Sequence, residues 1–104
     1  MKKFSYGPTK KLLEIFMEHC RLTIDQYEVI SGEFIDLETE YQDWAPQADI
    51  ERHQEKMRVI FDFLLDTKAI TLKEHLELNN MVDDMEDQAK RLAIEAALTE
   101  GVTL

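Results

Sequence analysis

Residues 23–46 read TIDQYEVISGEFIDLETEYQDWAP, and the class of fold follows from how this stretch is punctuated. Tyr27, Ile30, Phe34, Leu37 and Tyr41 recur at alternating steps of three and four, which sets them on one face of an α-helix. Thr23 and Gln26 stand in a capping-box relation, each side chain serving the other's backbone N–H at the start of a helix. At the far end Ala45-Pro46 stops the helix, because a residue before proline is pushed out of the α region. The pattern predicts a helix over 24–43 with a buried apolar stripe.

The same signals repeat outward from that element. Gly7-Pro8 opens a helix over about 8–21, proline being tolerated in a first turn where its missing N–H costs nothing. Pro46 opens another over 47–66, whose VIFDFLL segment (59–65) is apolar on nearly every side and is expected most centrally in the core. Thr71 and Glu74 form a second capping box for a helix over 72–99, which carries Leu72, Leu76, Val82, Met85, Ala89, Leu92 and Ala96 towards Gly101 as a stop. Short connections favour antiparallel neighbours. The expected fold class is therefore all-α, an antiparallel up-down-up-down four-helix bundle with a long C-terminal helix, in a single domain over residues 1–104. At about 1.5 Å per residue the first helix is roughly 20 Å long and the fourth roughly 40 Å. The excess falls on RLAIEAAL (91–98), so Leu92, Ile94, Ala97 and Leu98 are expected either under a helix that bends back or at an oligomer interface.

Twelve basic side chains against 22 acidic ones give a formal charge of −10. Such a surface repels phosphate backbones and anionic lipid headgroups, so direct nucleic-acid and membrane binding are disfavoured, while a basic protein surface attracts it. A hydrophobic content of 44% speaks for folding rather than for an acidic disordered tail. A single cysteine, Cys20, excludes an intramolecular disulfide framework, the chain opens on no apolar leader, and its longest apolar runs are too short to span a bilayer. The expected compartment is the cytoplasm of a bacterial or host cell.

Between Thr23 and Glu51 there are nine acids and no base. Asp25, Glu28, Asp49 and Glu51 fall at helix starts, where the macrodipole favours negative charge, and Glu38 lies off the line of the others. Glu33, Asp36, Glu40 and Asp43 remain, on a ridge opposite the apolar stripe, with Glu40 and Asp43 near the unfavourable C-terminal end. The third and fourth helices offer opposite-charge neighbours in Glu55–Arg58, Glu86–Lys90 and Asp87–Arg91, whereas no base stands three or four residues from these four acids. Their mutual repulsion costs on the order of 1 kcal/mol at low salt. They recur about every 5 Å along the helix, a sparse counterpart of the duplex phosphates spaced about 3.4 Å apart on each strand. Val29 and Gly32 share the ridge, and Trp44 ends it, either as a lid on the bundle or as an exposed aromatic anchor beside acids. Glu33, Asp36, Glu40, Asp43 and Trp44 are thus the candidate partner-binding residues.

No cofactor or metal site is expected. A di-iron bundle needs Glu-x-x-His pairs, but Phe16, Ile50 and Leu72 precede His19, His53 and His75 at that spacing, and the histidines are expected at helix surfaces or core edges. Glu74-x-x-Glu77 and Asp84-x-x-Asp87 superficially resemble the paired acids of all-α, magnesium-dependent nucleoside triphosphate pyrophosphohydrolases, yet both lie on one helix where a metal cage needs several. That enzyme is the lowest alternative. The leading expectation is a small non-enzymatic inhibitor docking its acidic helix face on a basic, nucleic-acid-binding enzyme or complex, in the manner of phage anti-defence proteins, nucleic-acid mimics and immunity proteins. The second is a homo-oligomerising helical adaptor or assembly subunit built on the C-terminal helix.

Overall fold

Helix starts and stops are set by a few backbone positions. The computed structural model describes residues 4–17 and 22–102, with side chains as far as residue 98. Its four helices are α1 (Pro8–Phe16), α2 (Ile24–Gln42), α3 (Gln47–Asp66) and α4 (Leu72–Val102), and no strand occurs among the described residues. Before α1, Gly7 sits at φ 66°, a left-handed conformation glycine adopts without steric cost, and Pro8 follows as the first helical residue. Both capping boxes form. Thr23 Oγ1 accepts from the Gln26 N–H at 3.1 Å while Gln26 Oε1 accepts from the Thr23 N–H at 3.0 Å. At α4 the corresponding bonds between Thr71 and Glu74 are 3.1 and 2.7 Å. The expected end of α1, with His19, Cys20 and Arg21, lies outside the described residues.

The stops of α2 and α3 are alike. Ala45 N–H reaches back to the Glu40 carbonyl and Trp44 N–H to that of Tyr41; Ala69 and Lys68 do the same to Leu64 and Leu65. This is the Schellman closure, in which the first residue past the cap takes the left-handed conformation and is usually glycine. Here Trp44 and Lys68 occupy it, at φ 56° and 63°. Each residue carries about 1–2 kcal/mol of steric cost that glycine would not.

The core draws on every helix, with Leu12, Ile30, Phe34, Leu37, Met57, Phe61, Leu78, Val82 and Met85 buried. Phe34 and Phe61 stack with ring centroids 5.9 Å apart, joining α2 to α3. The predicted α2 stripe is correct, Tyr27 and Tyr41 packing partly buried at its ends. Two apolar assignments need correction. VIFDFLL does not lie in the core on all sides: Phe61 and Leu64 are buried while Val59 and Phe63 face solvent. On α4, Leu72 and Leu76 are exposed and the inward row is Leu78, Met81, Val82 and Met85, because burying this longer apolar row turns Leu72 and Leu76 to the opposite side, and the capping Glu74 is buried in line with it.

The segment before α1 is tied to α2. Gln42 Nε2 donates to the Phe4 carbonyl at 2.7 Å, the Tyr6 N–H donates to Glu38 at 3.2 Å, and the Phe4 and Tyr41 ring centroids lie 5.1 Å apart. Glu38, off the ridge, thus anchors the N-terminal segment. α4 has 31 residues to the 20 of α3, and the described molecule measures 54 × 25 × 21 Å. No helix among the described residues is long and apolar enough to cross a membrane.

Candidate functional site

α2 and α3 meet along a line on which Glu33 and Glu40 are only partly exposed. On a helical projection Glu33 and Glu40 flank the apolar stripe, whereas Asp36 and Asp43 stand nearly opposite it. The first pair is accordingly drawn against α3. His53 Nε2 lies 2.6 Å from Glu33, His53 Nδ1 bonds Glu40, and Lys56 Nζ reaches Glu33 at 3.0 Å. The absence of basic partners within α2 therefore does not leave the ridge unpaired, because partners come from the next helix. Burial alone pushes the Glu33 carboxyl up, but Lys56 and His53 together hold it below the usual range.

Asp36 and Asp43 are different. Both are exposed, and neither carboxylate takes part in an ion pair or side-chain hydrogen bond among the described residues. Asp36, Glu33 and Glu40 line an open groove of about 590 Å³ with Asp49, Arg52, His53 and Lys56. Lys56 leads along α3, at steps of three and four, to Val59 and then Phe63, the latter 64% exposed. One turn back from Glu33 on α2 is Val29, also exposed. The acidic groove thus continues into an apolar surface whose aromatic is Phe63.

Trp44 belongs elsewhere. It is 55% exposed and borders a notch of about 190 Å³ with Phe4, Tyr41, Ile50, Ala89 and Leu92, on the α4 side of the turn. It is not among the residues of the acidic groove, and neither is Asp43. The five candidates therefore separate into a groove set (Glu33, Asp36, Glu40), an exposed acid at the helix end (Asp43) and a notch residue (Trp44). Of the α4 candidates, Leu92 packs against the core, while Ile94, Ala97 and Leu98 are exposed. His53, Lys56 and Phe63 were not singled out from sequence. The surplus apolarity of VIFDFLL was the one local sign of the last.

A second polar cluster joins α1 and α4. Tyr6 OH donates to Asp84 at 2.7 Å, Lys11 Nζ lies 3.0 Å from Tyr6 OH and 3.4 Å from Asp84, and Gln88 donates to the same carboxylate. Burial raises the Tyr6 hydroxyl above its ordinary value, while the Tyr6 hydrogen bond holds the Asp84 carboxyl below its own. Around it an open groove of about 720 Å³ includes Glu14, Glu77, Asp83 and Asp87. Of the acidic pairs noted on α4, Glu77, Asp84 and Asp87 line this groove, whereas Glu74 caps Thr71 and is buried, its Oε2 without a hydrogen-bond partner. Among the described residues no group of three or more His, Cys, Asp or Glu side chains is gathered closely enough to hold a metal ion. Other ion pairs also differ from expectation: Glu86–Lys90 forms at 3.7 Å, but Arg58 pairs with Asp83 at 2.7 Å and also bonds Asn79, rather than pairing with Glu55.

Compared with family models, curated proteins and solved structures, the chain matches none of them.

Proposed function

We propose that this protein is a non-enzymatic interaction module, an inhibitor or antagonist that lays its α2–α3 face on a basic, nucleic-acid-binding surface of another protein. The observation that carries the reading is the pairing of the acidic groove with an exposed Phe63–Val59 surface on the same side of the molecule. Acids steer a basic partner over long range, and a desolvated aromatic beside them supplies short-range affinity. Glu33 and Glu40, held by His53 and Lys56, enter such a contact already ordered, and Asp36 offers its carboxylate without breaking a bond. We also infer that the helices run up-down-up-down as an antiparallel bundle. Supporting this, Glu33 meets Lys56 while Glu40 meets His53, and Arg58 meets Asp83 while Asp62 meets His75, each series rising on one helix as it falls on the next.

The test is capture of basic proteins from the native cell or its host at low and high salt, using wild-type protein and the Asp36→Lys/Phe63→Ser variant. Both positions are exposed, so the fold survives the changes. Salt-sensitive capture by the wild type that the variant loses is the expected result. Equal capture by the two proteins contradicts the proposal.

A further inference from the structure

The notch at the turn between α2 and α3 gathers three aromatic side chains. Phe4, Tyr41 and Trp44 border it together with Ile50, Glu86 and Lys90, around a volume of about 190 Å³. Phe4 and Ile50 are buried, Tyr41 is partly buried and Trp44 is exposed, so the floor is apolar and one wall is an indole open to solvent. Trp44 holds that place in the left-handed conformation, at φ 56°, where glycine would carry no steric cost. The strained turn is what brings the indole to the notch.

The charge of this notch is negative at its centre. Aromatic faces carry negative potential, and Glu86 adds a carboxylate beside them. That charge reaches the ring of Tyr41, whose hydroxyl is pushed up to about 12 by burial first and by Glu86 second. Lys90 Nζ lies 3.7 Å from Glu86, but its side chain is 64% exposed and the pair is loosely held. Hydrogen-bond acceptors are few, since the Tyr41 hydroxyl already accepts from Gln54 Nε2 at 2.9 Å. A primary ammonium or a guanidinium entering here would lose water from N–H groups that the rings do not satisfy. A quaternary ammonium has no N–H to lose.

We propose that this notch binds a small quaternary ammonium ion free in solution, its trimethylammonium head set against Trp44 and Tyr41, with Glu86 as counter-charge and Lys90 released to solvent. Ring faces attract such a head electrostatically, the more so where water is excluded. The volume lies below the roughly 300–1,000 Å³ of pockets for drug-sized ligands and suits a head-group of this size. The formal charge of −10 draws cations to the chain as a whole, and the aromatic walls select among them. The notch shares no lining residue with the acidic groove, so this site and the proposed docking face stand or fall separately.

Trp44 is the only tryptophan in the chain, so its fluorescence reads the notch directly. The experiment titrates the full chain with choline chloride and, in parallel, with neopentyl carbinol, the uncharged molecule in which carbon replaces the nitrogen, against sodium chloride at matched ionic strength. A saturable change of Trp44 emission with choline is expected, and binding of the uncharged molecule weaker by about tenfold. Glu86→Gln should weaken choline binding and Lys90→Gln should strengthen it, each severalfold and with helical circular dichroism unchanged. An apolar pocket of no charge preference would respond to neither substitution. No saturable change with choline overturns the proposal, as does equal binding of the uncharged molecule or weaker binding by Lys90→Gln. A response to phosphatidylcholine vesicles without one to free choline also overturns it, because the head-group is then read on a membrane.

Discussion

The α2–α3 groove and the far half of α4 are both surfaces that the chain's own core leaves outside, yet they are finished in opposite ways. In the groove, charges are drawn into cross-helix bonds: His53 bridges Glu33 and Glu40, and Lys56 adds a further bond to Glu33. Along α4 beyond Leu92 the apolar side chains of Ile94 and Leu98 are exposed, and no second helix among the described residues covers them. The difference shows that the acidity of α2 is partly structural. Two of its four ridge acids take part in holding α3, and only Asp36 and Asp43 are left without such work.

The largest effect that separates these roles is expected from His53→Ala. His53 is 12% exposed and its removal leaves two partly buried carboxylates facing each other, so chemical denaturation should show a loss of about 2 kcal/mol. His75→Ala is the matched control, because its partner Asp62 is largely exposed and the pair contributes less than about 1 kcal/mol. Equal losses from the two variants would mean that the bridge is not a structural clamp.

A smaller effect concerns pH. The Glu33 carboxyl is held below its ordinary 4.5, so its contribution to stability is complete above that value and is lost as pH falls through the lower folded value. Glu33→Gln removes this proton-linked contribution. Its stability should therefore vary less with pH on the acid side than that of the wild type, measured by urea midpoints across that range, and parallel curves would assign the linkage to other groups.

The smallest effect is expected where the ridge is free. Asp36→Lys/Asp43→Lys removes repulsion from Glu33 and Glu40 and improves the charge at the C-terminal end of α2, so the melting temperature should hold or rise, by about 0.5 kcal/mol in stability. A fall comparable to that of His53→Ala would place these acids in the structural network after all.

What could be read from the sequence was whatever depends on neighbours along the chain. The capping boxes at Thr23 and Thr71, the glycine-proline start at Gly7 and the period of the α2 stripe are all local, and all are present in the structure. The inward face of α4 differs from the expected one because a helix with apolar residues on several rows offers more than one stripe, and the row of Leu78, Met81, Val82 and Met85 is buried while Leu72 and Leu76, on the opposite side, are exposed. The partners of Glu33 and Glu40 were out of reach for a different reason. They depend on how α2 and α3 align, which no spacing within α2 encodes. Trp44 was grouped with the acids because it follows Asp43 in the chain, but the left-handed turn at Trp44 carries it to the α4 side.

The central claim is that the acidic groove and the Phe63 surface beside it make the proposed contact, and that the exposed end of α4 takes no part in it. Salt-sensitive capture of basic proteins, measured side by side for Asp36→Lys/Phe63→Ser and for Ile94→Glu/Leu98→Asp, tests it most directly. The account predicts that the first variant loses capture and the second keeps it at the wild-type level. Capture retained by the first, or lost equally by both, would contradict it.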